Sequence, residues 1–262
     1  MPDRSRTLRT QAVVLRRIEY GEADLILTLL TPKQGKISAI ARAARRPSSK
    51  SSGHVELYSL SDMLLAQGAN MYVVIQVNLI NPFLGIGHDL ERMAYASHFV
   101  ELIDRFTVDS QENQQTFNLL VNGLTWLSDP KTDLRLIARY FEFRLLTIMG
   151  YAPSVFECAV SGEKLEAHDQ FYSVSEGGVV SADHVDEVHD SIPLPLGAFK
   201  VLRHFSRSRW KDVQNLTLSP ATHAVLERIL LDTIAYLLER KLQSIAFLKR
   251  ISNITQSPTD PS

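Results

Sequence analysis

From Gln11 to Phe83 apolar and polar side chains alternate with a period of two, the signature of strands that turn one face to a core. Ala12 to Ile18 is apolar and β-branched, and Leu25, Leu27 and Leu29 alternate with Ile26, Thr28 and Leu30 up to the breaker Thr31-Pro32. After the turn Lys33-Gln34-Gly35, one face holds Ile37, Ala39 and Ala41 and the other Ser38, Ile40 and Arg42, which predicts a β-hairpin. Val55 to Ala66 forms a further strand region. Gln67-Gly68-Ala69-Asn70 is a turn, and Met71, Val73, Ile75, Val77 and Leu79 alternate until Asn81-Pro82. Five short strands fit a small closed barrel, either of the oligonucleotide-binding (OB) type or SH3-like, which periodicity alone leaves open.

Beyond Pro82 the period lengthens to 3.6. Leu90, Met93, Val100, Ile103 and Phe106 form one stripe; Phe117, Leu120, Val121, Leu124 and Leu127 form a second; Leu134, Ile137, Ala138, Phe141, Leu145 and Ile148 form a third. The third helix also carries Tyr140, Phe143, Leu146 and Met149 off its stripe, so it is apolar almost all round and is expected to sit centrally, with Arg135, Arg139 and Arg144 as its polar exceptions. Pro195 to Phe205 reads as a short helix, Ser219-Pro220 as the capped start of a long one, and 252–262 as a disordered tail. Between Tyr151 and Pro193 the helical period vanishes, and two pairs of positions, each with two residues between its members, flank a strand and a Gly177-Gly178 turn in the outline of a two-knuckle hairpin. The expected architecture is α+β with two domains. A five-stranded OB-type barrel spans 1–82, and a helical domain spans 83–262 with a zinc-knuckle-like hairpin insert at 155–190.

Charge sharpens this division. The chain of 262 residues has a net charge of −1, yet its first fifty residues hold eleven cations against four anions, leaving the remainder at −8. A cationic β-rich front end suits a polyanion. Residues 42–53 combine four cations with small hydroxyl residues and no bulky apolar ones, so that connection is expected to lie in water or on a ligand. The candidate phosphate-contacting residues are Arg16, Arg17, Lys33, Lys36, Arg42, Arg45, Arg46 and Lys50, with Tyr20, Tyr58 and Tyr72 placed either for base stacking or as barrel wall. No run of about 18 apolar residues and no secretory signal is evident, so a cytoplasmic protein without a membrane partner is expected.

Catalytic signals are weak. Asp183, His184, Asp186, Glu187, His189 and Asp190 are ligand types for a metal-dependent hydrolase, but they fall in one short acidic loop that reads more simply as solvated. There is no P-loop motif, and Gly85-Ile86-Gly87 is followed by Leu90 where a dinucleotide-binding pattern needs a third glycine. No catalytic residue, cofactor or small-molecule substrate is expected.

The segments Thr10-Gln11-Ala12-Val13-Val14-Leu15, Tyr20-Gly21-Glu22-Ala23-Asp24, Thr31-Pro32-Lys33-Gln34-Gly35-Lys36 and Asn81-Pro82-Phe83 occur here in one order with Arg139-Tyr140-Phe141-Glu142, Gly150-Tyr151-Ala152-Pro153 and a knuckle at Cys158. Taken together they resemble the bacterial RecO family of recombination mediators over nearly the whole chain. The resemblance implies an OB barrel, a helical domain, and a cytoplasmic, nucleoid-associated role. That role is binding single- and double-stranded DNA, annealing complementary strands and helping to load RecA with RecR, RecF and the single-strand binding protein SSB. It also implies a docking surface for the acidic, Phe-ended SSB tail, for which Arg135, Arg139, Phe143 and Arg144 are the candidates; a pure acidic-peptide adaptor is the rival reading. Family members that hold zinc carry two Cys-x-x-Cys pairs, whereas the matching positions here are Cys158, Ser161, Ser181 and His184. Serine is not a usual zinc ligand, so no structural zinc is expected, with Val155, Phe156, Leu165, Phe171 and Val179 holding the hairpin instead.

Overall fold

The computed structural model describes residues 7–46, 55–239 and 242–256, which fall into two compact units divided after Pro130 and again after Gln243. In the first unit, strand β1 (Thr7–Tyr20) is long because it serves two neighbours. Its first half pairs antiparallel with β4 (Leu60–Gln67) and its second half with β2 (Asp24–Thr31). The register shifts between Val14 and Arg16, leaving Leu15 as a bulge that bends the strand from one partner to the other. β2 turns into β3 (Gly35–Ala41), and β5 (Tyr72–Asn81) runs antiparallel to β4. A short parallel pairing, Ala39 with Tyr72 and Ile40 with Val73, closes the barrel in the order β1-β2-β3-β5-β4. This order with its parallel pair is the OB type, which decides between the two barrels that periodicity allowed.

The barrel interior is filled by Ala12, Val14, Leu27, Leu29, Ala39, Met63 and Leu65 among others, the small residues leaving room for the leucines. Val55 joins this core, but regular pairing begins only at Leu60, not at Val55 as the alternation suggests. Residues 56–59 fold back onto β1, where Tyr58 N–H donates to the Val14 carbonyl and Val14 N–H to that of Ser59. The folded-back segment thereby satisfies backbone groups at the bulge that a regular ladder would have paired.

The first unit continues past the barrel. α1 (Leu84–Gly87), α2 (Leu90–Phe106) and α3 (Gln114–Ser128) follow, capped in the last two cases by Asp89 and Asn113. α2 and α3 pack against β1 and β2, and Val13, Leu15 and Leu30, which lie outside the interior cluster, are buried as well. The compact unit therefore extends beyond the boundary expected at 82.

In the second unit α4 (Leu134–Ile148) is buried continuously from Leu136 to Phe143, the central helix its composition predicts. The hairpin region forms a three-stranded sheet of β6 (Gln170–Ser173), β7 (Gly178–Val180) and β8 (Ser191–Leu194) in the order β7-β6-β8. The third strand extends past the expected insert end at 190, and Pro193 disguises it in the sequence, since proline is tolerated on an edge strand. Tyr172, not Phe171, faces the core. Its ring is fully buried, its hydroxyl meets Thr233 at 3.2 Å, and burial pushes its pKa up to about 12. α5 (Leu196–Arg207), α6 (Trp210–Val213) and α7 (Pro220–Leu238) follow, the last capped by Ser219 with Pro220 at its first position, as expected. α8 (Gln243–Gln256) returns to the first unit, where Ser244 N–H donates to Glu101 at 2.7 Å and its hydroxyl bonds His98 Nδ1 at 2.9 Å. Residues 252–256 are thus helical where a tail is expected from 252; 257–262 lie outside the described residues.

Gly35 tests how tightly this unit is closed. It has φ +61°, and a Cβ there would sit 1.9 Å from the Gln111 carbonyl oxygen. Gly35→Ala therefore meets both a left-handed backbone and a backbone clash, and should destabilise the protein by about 2 kcal/mol or more. A urea midpoint equal to that of the wild type would contradict this packing.

Candidate nucleic-acid interface

The outward faces of β1, β2 and β3 line up through the register of the barrel. Arg16, Thr28 and Ser38 form one row across the three strands; Ile18, Ile26 and Ile40 form the next, continued by Val73 on β5. Tyr20 and Asp24 form a third row, which runs to Arg42 just beyond β3. Ile18 and Tyr20 are about half exposed, at 47% and 55%, and Ile75 on β5 is 54% exposed. Periodicity does not single out this apolar row, because along the chain Ile26 and Ile40 read only as the alternate face of a hairpin. The available signal is that this outer face carries isoleucine where a solvated face would carry polar residues.

Around this face the cations sort into two groups. Lys36, whose side chain is mostly buried, donates to the Asp104 carbonyl at 2.8 Å and carboxylate at 2.9 Å and lies 3.3 Å from Asp109. It fastens β3 to the end of α2 and to the segment after it, so the structure removes Lys36 from the phosphate-contacting set. Arg16 lies 3.8 Å from Asp104, Arg17 is hydrogen-bonded to Glu56, and Arg45 is 2.9 Å from Glu19. These three are partly screened by their carboxylates. Lys33, in the β2–β3 turn, and Arg42 and Arg46, after β3, are exposed and have no ion-pair partner among the described residues.

The turn after β3 is rigid for a reason visible in its backbone. Ala43 adopts φ 52°, its N–H donates to the Asp24 carboxylate at 2.7 Å, Arg45 N–H donates to the Ala23 carbonyl at 2.9 Å, and Ala44 is buried. Arg42 and Arg46 are thereby held beside the β1–β2 turn. Lys50 and the rest of the loop, 47–54, lie outside the described residues. Of the three tyrosines, Tyr72 packs on the barrel core and Tyr58 bonds Ser97 on α2 at 2.6 Å, burial raising its pKa. Tyr20 remains on the surface. Exposed guanidiniums, hydroxyls and an apolar strip with one aromatic ring suit a ligand with a charged backbone and flat bases.

The candidate peptide groove on α4 is not formed. Arg139 is buried, 2.8 Å from Glu142 and 3.5 Å from Glu227, and Phe143 is buried too. Arg135 is exposed and Arg144 half-buried, so the four residues do not share a surface. The helix is apolar all round because it is core, and a guanidinium inside that core is held by carboxylates.

At the knuckles, Cys158 is buried and its Sγ accepts from Ser181 N–H at 3.4 Å. Burial raises the thiol pKa, while N–H groups of Ser161, Ser181 and Val160 and the Ser161 hydroxyl lower it by more, bringing it from 9.0 to about 7. His184 pairs with Glu187 at 2.6 Å, which raises its pKa. One thiol, two hydroxyls and an imidazole already paired do not suit zinc, and no group of three metal-ligating side chains is placed for a metal among the described residues. In the acidic loop, Asp190 accepts from Ser173 and Ser175 and so closes the β6–β7 turn.

Two family models divide the chain between them. "Recombination protein O N terminal" matches residues 5–83, and "Recombination protein O C terminal" matches residues 87–246. The chain belongs to the RecO family. Among curated relatives named DNA repair protein RecO, that of Roseiflexus sp. (strain RS-1) is 35% identical over 97% of this chain and 90% of its own length. That of Dehalococcoides mccartyi (strain ATCC BAA-2266 / KCTC 15142 / 195) is 33% identical over 93% and 96%. That of Heliobacterium modesticaldum (strain ATCC 51547 / Ice1) is 32% identical over 97% and 93%.

The knuckles yield two expectations. Purified protein should contain far less than one zinc per chain, and a chelator should leave its melting temperature unchanged; stoichiometric zinc by elemental analysis would overturn this. Because the folded state lowers the Cys158 pKa, its contribution to stability is full above the ordinary thiol pKa and is lost as pH falls through about 7. The stability difference between wild type and Cys158→Ala should therefore widen from about pH 6.5 to about pH 9. A difference that stays constant across this range would show that the N–H groups do not favour the thiolate.

Proposed function

We propose that this chain is a non-enzymatic DNA repair and recombination mediator that binds DNA through the barrel. The observation that carries this reading is the β1–β2–β3 face, where exposed Arg42, Arg46 and Lys33 flank the isoleucine row and Tyr20. The cations hold the sugar-phosphate backbone and the apolar strip takes bases or sugars, so two complementary strands held by one surface repel each other less. In this reading the chain binds single- and double-stranded DNA, anneals complementary strands and, with RecR, SSB and RecF, helps load RecA at the nucleoid in the cytoplasm. Membership of a family whose relatives are named DNA repair proteins supports the role. No described helix is long and apolar enough to cross a membrane. The hydrolase reading loses support because Asp190 and His184 are engaged in local hydrogen bonds. The α4 tail-docking reading loses support with the burial of Arg139 and Phe143.

Replacing Arg42, Arg45 and Arg46 by Ala should weaken binding to single strands of unrelated sequence alike, and lower the log–log salt slope by about 0.7 for each phosphate no longer neutralised. Arg45 is expected to contribute least, since Glu19 already pairs with it. Anisotropy titrations of a labelled oligonucleotide at two salt concentrations check this. Unchanged affinity and slope would take the turn out of the interface.

A further inference from the structure

The second unit lies in the acidic part of the chain, yet its residues 196–211 hold five cations, Lys200, Arg203, Arg207, Arg209 and Lys211, and no Asp or Glu. These residues form α5 and the turn into α6. The apolar side of α5 is fully used: Ala198, Phe199, Val201, Leu202 and Phe205 are buried. The cations therefore occupy the remaining side, with Lys200, Arg203 and Arg207 at spacings of three and four that place them along one face.

Arg203 is built into the unit. Its guanidinium donates to the Val155 carbonyl at 2.8 Å and the Leu165 carbonyl at 2.9 Å and lies 4.1 Å from the centre of the Phe199 ring. Arg207 stacks on Phe156 at 4.1 Å, and Arg203 approaches the same ring at 5.6 Å. Two guanidiniums thus share one aromatic ring, and neither has a carboxylate partner among the described residues. Burial, and then repulsion from Arg207, lower the Arg203 pKa, the sign of an uncompensated cation pair. Beyond them Arg209 and Lys211 are exposed on either side of half-buried Trp210, whose ring meets Tyr140 at 5.4 Å.

From this arrangement we infer that α5 and the turn after it form a second contact for single-stranded DNA, in addition to the barrel face. Guanidiniums and ammonium groups without carboxylate partners bind phosphates, and the exposed guanidinium of Arg207 offers a plane for a base. An acidic peptide with an apolar anchor fits less well, because the apolar side chains of α5 are already buried within the unit. The inference rests on the proposed DNA role, and its test separates the two.

The test uses the full-length protein in three forms: wild type, Lys200→Ala/Arg207→Ala/Lys211→Ala, and Arg42→Ala/Arg46→Ala. Arg203 is left intact because it holds backbone carbonyls. Each form is titrated against a labelled mixed-sequence single strand and against a labelled poly-glutamate peptide over a range of salt, with circular dichroism and melting to check the fold. The α5 variant, folded as wild type, should bind the single strand more weakly, with a log–log salt slope smaller by up to about 2, or about 0.7 for each phosphate released. Arg207→Lys should keep the slope but weaken binding, because it retains the charge and loses the plane. Normal single-strand affinity in the α5 variant, with loss only in the barrel variant, overturns this inference and leaves the barrel reading standing. Loss only in the α5 variant supports it and removes the barrel. Poly-glutamate binding that depends on these residues, with single-strand binding unchanged, overturns it in favour of an acidic protein partner. No single-strand binding by wild type overturns both.

Discussion

This barrel closes because β1 passes from β4 to β2, and the bulge at Leu15 bends it between the two. The bulge there changes which side of the strand faces inward. Before it, Ala12 and Val14 point to the interior; after it, Arg16, Ile18 and Tyr20 share the outer face of the β1–β2–β3 sheet. Had the register continued unbroken, Arg17 and Glu19 would stand on that outer face and the isoleucine row would not exist. The residues folded back over the bulge, with Tyr58 bonded to Ser97, also connect the barrel to α2. Barrel closure, the cover of helices and the chemistry of the candidate surface thus share one local irregularity.

Charge neutralisation decides which cations remain available to a ligand. Asp104 and Asp109 hold Lys36 in a mostly buried position, where its ammonium is a fastening and no longer a long-range field source. Glu19 and Glu56 do the same more weakly for Arg45 and Arg17 at the surface, where such pairs stabilise by at most about 1 kcal/mol and compete with a phosphate. A count of cations along the chain therefore overstates the interface on the barrel. It also understates the second unit, where the −8 of the long acidic segment hides five cations gathered on α5 and the turn after it.

Several buried polar groups of the second unit sit where backbone, hydroxyl or carboxylate partners hold them. Arg139 is held by Glu142 and Glu227, Tyr172 by Thr233, and the Cys158 thiol by backbone N–H groups. In the last case the knuckle shape persists with Ser181 N–H donating to sulfur, and the strands β6, β7 and β8 supply the remaining support through their own ladder. Around Ser161 and Ser181 the hairpin has its own core in Val155, Leu165, Tyr172 and Val179.

Whatever depends on periodicity and local chemistry was legible along the chain: the strands of the barrel, the central character of α4 and the Ser219-Pro220 helix start. The family resemblance was legible for the same reason, since it rests on contiguous segments such as Thr31-Pro32-Lys33-Gln34-Gly35-Lys36. Tertiary structure alone decided everything that depends on a partner far along the chain. Lys36 meets Asp104 and Asp109, Arg139 meets Glu227, and Arg207 meets Phe156, and none of these pairs can be read from neighbouring residues. The parallel closure of β3 on β5, the third strand β8 and the facing of Ile18, Ile26 and Ile40 likewise follow from register, which a one-residue shift reverses and which periodicity does not encode.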